Sequence, residues 1–176
     1  CLIKDGRKLK AYAYDEHFVY LPSSIEHIRD IVINDYIANI QQYGIQNVML
    51  CAAMRVRGVV SVNALNSILQ EKLTKGRKQA VFGDGKIFRV GDRVMQIHND
   101  YKFVIKRSDG YSEGIFNGER GTVADVIYDP IEDGYKLVVL FDDGSIGGYT
   151  SAAAENLVLA YANTLHKCQG SESECM

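Results

Sequence analysis

A hydroxyl, an imidazole, an ammonium, an amide, a glycine and a carboxylate fall together in Thr164-Leu165-His166-Lys167-Cys168-Gln169-Gly170-Ser171-Glu172. Thr164, His166 and Lys167 are donors suited to phosphate oxygens, and such contacts fix the position of a nucleic-acid strand without reading its bases. Gly170 lacks a Cβ, so backbone N–H groups around it can approach an anion closely. Glu172 can accept from a ribose hydroxyl. The apolar run before them, Leu157-Val158-Leu159-Ala160-Tyr161-Ala162, reads as a short buried strand. Open α/β sheets place ligand sites where such strands end. Arg55 follows another apolar run, Ile45–Ala53, and its guanidinium fork suits a phosphate. If the two runs are parallel strands, both ends open on one edge and Arg55 converges with the later turn. The same residue types equally fit a hydrogen-bonded strand-to-helix corner with no ligand.

The elements that must position these groups are legible upstream. Lys10 to Leu21 alternates loosely and predicts a strand. Ser23 and Glu26 have capping-box spacing, and Ile25, Ile28, Val32, Tyr36 and Ile40 recur at helical spacing as far as Gly44. A helix from Ser24 to about Tyr43 therefore joins two strands in a βαβ unit. Ser61 caps a second helix whose stripe is Val62, Leu65, Ile68, Leu69 and Leu73. Its basic end, Lys72 to Lys78, fits either a solvated helix terminus or a phosphate contact. From about Lys86 the pattern turns to short strands, Phe88–Ile97, Gly121–Ile127 and Tyr135–Phe141, with Asp142-Asp143-Gly144 as a turn. Between them Lys102, Lys106 and Arg107, interleaved with Tyr101 and Phe103, suit a loop gripping single-stranded DNA through charge and stacking.

The expected fold class is α/β: a partial parallel sheet with helices over 10–84 and 157–176, interrupted by a small β-barrel over 85–156. A net charge of −2 excludes a generally basic coat but not a local basic groove. No apolar run approaches the ~20 residues of a membrane span. Four cysteines without CxxC pairing fit free thiols in a reducing cytoplasm. His166, Cys168 and Cys175 match no common zinc spacing, so no metal site is expected. Gly83-Asp84-Gly85-Lys86-Ile87 lacks both the first glycine and the final hydroxyl of a phosphate loop. Beginning at Cys1 and ending at Met176, the sequence reads as a piece of a longer protein.

The stretch Thr164–Glu172, with Leu159-Ala160-Tyr161-Ala162 before it, resembles motif V of superfamily-one DNA helicases of the RecD/TraA type. Gly91-Asp92-Arg93-Val94-Met95-Gln96, Asn99-Asp100-Tyr101 and Phe116-Asn117-Gly118-Glu119-Arg120-Gly121-Thr122-Val123 resemble the barrel inserted in that family's second motor domain. Met54-Arg55 with Val62–Gln70 is similar to motif IV and its helix. The resemblance implies the second RecA-like motor domain, with its SH3-like insertion, of a 5′-to-3′ ATP-dependent DNA helicase such as the alpha subunit of exodeoxyribonuclease V. It implies Arg55 at the ATP γ-phosphate, with Gly170 and Glu172 on the nucleotide face. It further implies Thr164 and His166 on the DNA backbone, and Lys167 and Gln169 linking the two faces. ATP with Mg2+, single-stranded DNA, the first motor domain and other helicase–nuclease subunits are the implied cofactors and partners. Cys168 stands where the family commonly has serine. The alternative is a non-enzymatic nucleic-acid-binding or interaction module that works through the barrel. Phosphoryl transfer needs phosphate cradle, metal and arginines together. The 176-residue chain alone is therefore expected to show no ATP turnover in a coupled assay with single-stranded DNA present, and DNA-stimulated turnover would overturn that expectation.

Overall fold

The computed structural model describes residues 14–15, 18–19, 24–83 and 85–168. Strands β1 (Tyr14–Asp15) and β2 (Phe18–Val19) pair antiparallel with each other. Where a single strand over Lys10–Leu21 was expected, the four described residues form two short strands that pair with each other, and the rest of that span lies outside the described residues. Helix α1 (Ile25–Tyr43) starts one residue later than the capping box implies, with Ser24 as N-cap and its Oγ against His27 Nδ1 at 2.9 Å. It ends at Gly44, which adopts φ +86° and donates its N–H to the Ile40 carbonyl at 3.0 Å.

Strand β3 (Leu50–Ala52) and helix α2 (Val62–Thr74) follow, and the Ser61 side chain accepts from the Ala64 N–H as an N-cap does. The β-rich part then comprises β4 (Gln79–Phe82), β5 (Lys86–Arg89), β6 (Arg93–Gln96), β7 (Asp100–Arg107), β8 (Gly110–Ile115), β9 (Arg120–Asp129), β10 (Gly134–Phe141) and β11 (Ile146–Tyr149). A 3₁₀ turn at Ala153–Asn156 leads into β12 (Leu157–Leu159), then β13 (Ala162–Thr164) and the single turn α3 (Leu165–Cys168).

Seven strands form one antiparallel sheet in the order β12-β6-β9-β10-β11-β7-β8. It curls into a half-barrel whose outer strands, β12 and β8, do not pair with each other among the described residues, so the barrel expected from sequence is open. The β4–β5 hairpin adds Ala80, Phe82 and Phe88 to the same core as Val94, Ile105, Ile115, Val126, Leu137, Val139 and Tyr149. Close strand approach is written into Gly121: a Cβ there would lie 2.6 Å from the Leu140 carbonyl oxygen.

The expected buried strand Leu157–Ala162 is split. Leu157–Leu159 pairs antiparallel with β6, whereas Ala162–Thr164 pairs parallel with β3. That two-stranded pair is the parallel sheet present among the described residues. Its own core gathers Ile33, Tyr36, Val48, Leu65, Leu69 and Tyr161, and Leu159 packs against both cores. The split has a visible cause. Asn66 of α2 offers its amide to the crossing: Nδ2 donates to the carbonyls of Leu159 and Ala162, both at 3.1 Å, and Oδ1 accepts the Ala162 N–H at 2.8 Å. The side chain thus replaces the ladder partners that a strand changing sheets must give up.

A buried carboxylate joins the same parts. Asp92, 0% exposed, accepts from Thr74 Oγ1 at 2.7 Å and Tyr161 OH at 2.8 Å on one oxygen. Its other oxygen takes Gln70 Nε2 at 2.6 Å and the Arg89 N–H at 2.8 Å. Cys51 and Cys168 form a disulfide, which overturns their reading as free thiols. The parallel pairing carries the ends of β3 and β13 side by side, so residues distant in sequence become neighbours.

Removing the Asp92 carboxylate leaves buried donors unsatisfied, at a cost of order 1–3 kcal/mol for each group so orphaned. Asp92→Ala is expected to lower unfolding free energy by about 3 kcal/mol in urea titrations, and a loss below about 1 kcal/mol would show that the network matters little. Burial raises the Tyr36 hydroxyl from 10.0 to about 12, partly opposed by Arg93 and Arg120. Burial likewise raises Tyr149 and Tyr161. Their folded values exceed the unfolded ones, so the stabilisation is full below the unfolded value and is lost as pH rises through the folded one. The urea midpoint should fall between pH 10.0 and about 12, and a flat midpoint across that window would contradict the burial.

Candidate functional site

Parallel pairing of β3 with β13 sets the site. Leu50, Cys51 and Ala52 lie opposite Ala162, Asn163 and Thr164, so both strands release the chain on one edge. Beyond β3 the backbone is fastened to the start of α2: Met54 and Arg55 carbonyls accept the N–H groups of Val62 at 2.9 Å and Asn63 at 3.1 Å. The Arg55 side chain, by contrast, is exposed and hydrogen-bonds to no other described residue. Beyond β13, Thr164 Oγ1 accepts the Lys167 N–H at 3.4 Å and so starts the turn of α3.

These groups border one cleft of about 850 Å³, between α2, β5, β6 and the β12–β13 crossing. Arg55, Thr164 and Lys167 line it together, as the parallel-strand expectation requires. Lys86, His98, Asn63 and Ser67 join them. Among the described residues no aspartate or glutamate lines the cleft, although the chain as a whole carries −2. Apolar walls from Phe88, Met95 and Leu159 exclude water on one side, which strengthens any charge interaction inside. The arrangement can hold an anion with a guanidinium, ammonium groups and hydroxyls.

The remaining candidates divide. His166 is exposed in α3 and does not line the cleft. Gln169, Gly170 and Glu172 lie outside the described residues. Lys102, Lys106 and Arg107 sit on β7 rather than in a loop, because the alternation Lys102, Val104, Lys106 outward and Phe103, Ile105 inward is a strand pattern. Phe103, expected to stack on bases, is 8% exposed and packs on the Tyr149 ring at 4.5 Å. Arg107 is held by Asp143 at 2.6 Å and Ser112 at 2.9 Å, and the Asp143 carboxyl is drawn below its usual range first by Ser145 and then by Arg107. At the end of α2, Lys75 pairs with Glu71 and Lys78 with Asp125, each at 2.9 Å, which favours the solvated-terminus reading of that cluster.

Sequence reasoning gave no site role to Asn66, Lys86, His98 or Asn117. Asn66 carried a signal, a polar residue on the buried stripe of an amphipathic helix. Asn117 stood in the stretch that resembles the barrel, but its tie to Lys167, whose Nζ reaches its Oδ1 at 2.5 Å, spans 50 residues and leaves no local signal.

Residues 65–141 match the family model described as the ATP-dependent RecD-like DNA helicase SH3 domain. The chain is 34% identical over 116 residues to the ATP-dependent RecD2 DNA helicase of Deinococcus radiodurans, an alignment covering 66% of this chain and 14% of that protein. It therefore spans a small part of that relative's length. The Pif1 helicase of Candida albicans is a structural neighbour at a TM-score of 0.43 and 13% identity, over 81% of this chain and 44% of that one, a likeness too low to carry an argument.

Proposed function

We propose that the chain is a segment of a RecD-like, ATP-dependent 5′-to-3′ DNA helicase, and that its cleft holds phosphate groups. The observation that carries the reading is the cleft itself: Arg55, Lys86 and Lys167 on its walls, and no described carboxylate among them, in a chain of net negative charge. The similarity of residues 65–141 to a RecD-like helicase SH3 domain supports the family, and the identity to the Deinococcus relative supports the activity.

In this reading residues 10–84 and 157–176 belong to the second RecA-like motor domain, and 85–156 to its SH3-like insertion. Thr164 and Lys167 hold the backbone of single-stranded DNA, with His166 and Gln169 extending the contact. Arg55 serves the nucleotide side, where Gly170 and Glu172 also belong. A terminal phosphate fits Arg55, since its guanidinium is exposed and its backbone is fixed by Asn63. The described residues offer no cluster of carboxylates for Mg2+, so the metal's ligands would come from elsewhere in the helicase. Bound ATP supplies the phosphoryl group whose loss drives the motor. The residues here bind its charge and orient it. The first motor domain and other helicase–nuclease subunits complete the proposal. The alternative, a non-enzymatic nucleic-acid-binding module, shares the DNA contact and lacks the nucleotide role of Arg55.

Two substitutions in the helicase separate these roles. Lys167→Ala should weaken binding to single-stranded DNA and reduce the slope of log K against log salt by about 0.7. Arg55→Ala should leave DNA affinity within about twofold and lower DNA-stimulated ATP hydrolysis by roughly 10³-fold, the lower end for an arginine contacting transferring phosphate. Unchanged affinity and slope in the first would remove the DNA contact, and unchanged turnover in the second would remove the nucleotide role.

A further inference from the structure

The cleft does not end at its cations. Lys167 Nζ donates to Asn117 Oδ1 at 2.5 Å, the Asn117 N–H donates to Asn99 Oδ1 at 2.8 Å, and Asn99 Nδ2 donates to the Tyr101 hydroxyl at 3.2 Å. This chain of contacts leads from the α3 turn onto the half-barrel, and it stops at two exposed aromatic rings. Tyr101 is 68% exposed and Phe116 48%, and their centroids lie 6.0 Å apart at an interplanar angle of 77°. The sequence adds one tie: Tyr101 stands three residues after His98, which lines the cleft. Large apolar rings held by a polar frame beside a cationic cleft are what unpaired bases stack on.

Charge selects this pair over the other aromatic step on the surface. Tyr128 and Tyr135 also meet edge to face, at 5.6 Å, but they stand among Asp129, Glu132 and Asp133. Three carboxylates there face the single ammonium of Lys136, which pairs with Asp129 and Glu132, so the surroundings stay net negative toward a polyanion. Beside Tyr101 stands one carboxylate in sequence, Asp100, which accepts the Lys102 N–H at 3.0 Å, and the exposed Lys102 ammonium offsets its charge.

We infer that Tyr101 and Phe116 form a stacking step for the bases of single-stranded nucleic acid whose phosphates lie along Thr164 and Lys167. This rests on the phosphate-binding reading of the cleft and adds to it a base contact that charge alone does not supply. The test compares an oligodeoxythymidylate of fifteen nucleotides with an abasic oligodeoxynucleotide of the same length, by fluorescence anisotropy. The stacking step predicts roughly tenfold tighter binding of the base-bearing strand. Tyr101→Ala with Phe116→Ala should abolish that difference, leaving the abasic affinity unchanged, while Tyr101→Phe retains it. The chain contains no tryptophan, so Tyr101→Trp gives a reporter whose emission should be quenched by the thymidylate strand and not by the abasic one. That second measurement stands even where the double substitution fails to fold. Equal binding of both strands by the unsubstituted protein, or no selective quenching, would overturn the stacking step while leaving the phosphate cleft in place. Failure of both strands to bind would overturn the cleft reading, and the step with it.

Discussion

The Asp92 carboxylate is the interaction on which the rest of the structure depends. It lies fully buried and accepts from Gln70 and Thr74 of α2, the Arg89 backbone at the end of β5, and Tyr161 at the crossing. All four donors are neutral, so the charge is stabilised by hydrogen bonds rather than by an ion pair. A buried anion held this way is intolerant of displacement, because each missing donor returns a desolvation cost. Helix, hairpin and crossing are therefore fixed relative to one another through a single side chain. The cleft is the space between those same three parts, and its shape follows from that constraint.

Arg93 makes the complementary connection on the other side of β6. Its guanidinium, 4% exposed, grips Asp142 in two parallel contacts at 2.5 Å, tying β6 to the turn after β10. Bidentate geometry of this kind adds direction as well as energy. Between these anchors the two hydrophobic cores share Leu159, so the half-barrel and the α/β part have a common wall rather than a mobile seam.

Much of this was legible from sequence where one period dominates. The stripe of α2, its Ser61 cap and the Gly44 stop of α1 are local signals, and each formed as read. The convergence of Arg55 with Thr164 was legible because parallel strands end on one edge. What was not legible depends on partners far away in the chain. Leu157–Ala162 is uniformly apolar, and nothing in that composition shows that Asn66 bends it from one sheet into another. A β-strand over 100–107 was hidden by its cations, since an exposed strand face and a polar loop share a composition. The cysteines read as free because pairing across 117 residues leaves no spacing signal.

The crossing between sheets has one consequence of a mechanical kind. Ala160 and Tyr161 are the whole connection between β12 and β13, both are buried, and the Ala160 N–H is fastened to the Arg93 carbonyl at 2.8 Å. Two extended residues reach at most about 7 Å. Such a tether has no slack, and the return path from α2 to β4 is only the short run 75–78. The half-barrel is thus a lever arm and not a pendant: a pull on its outer face reaches the end of β13 within the length of two peptide units.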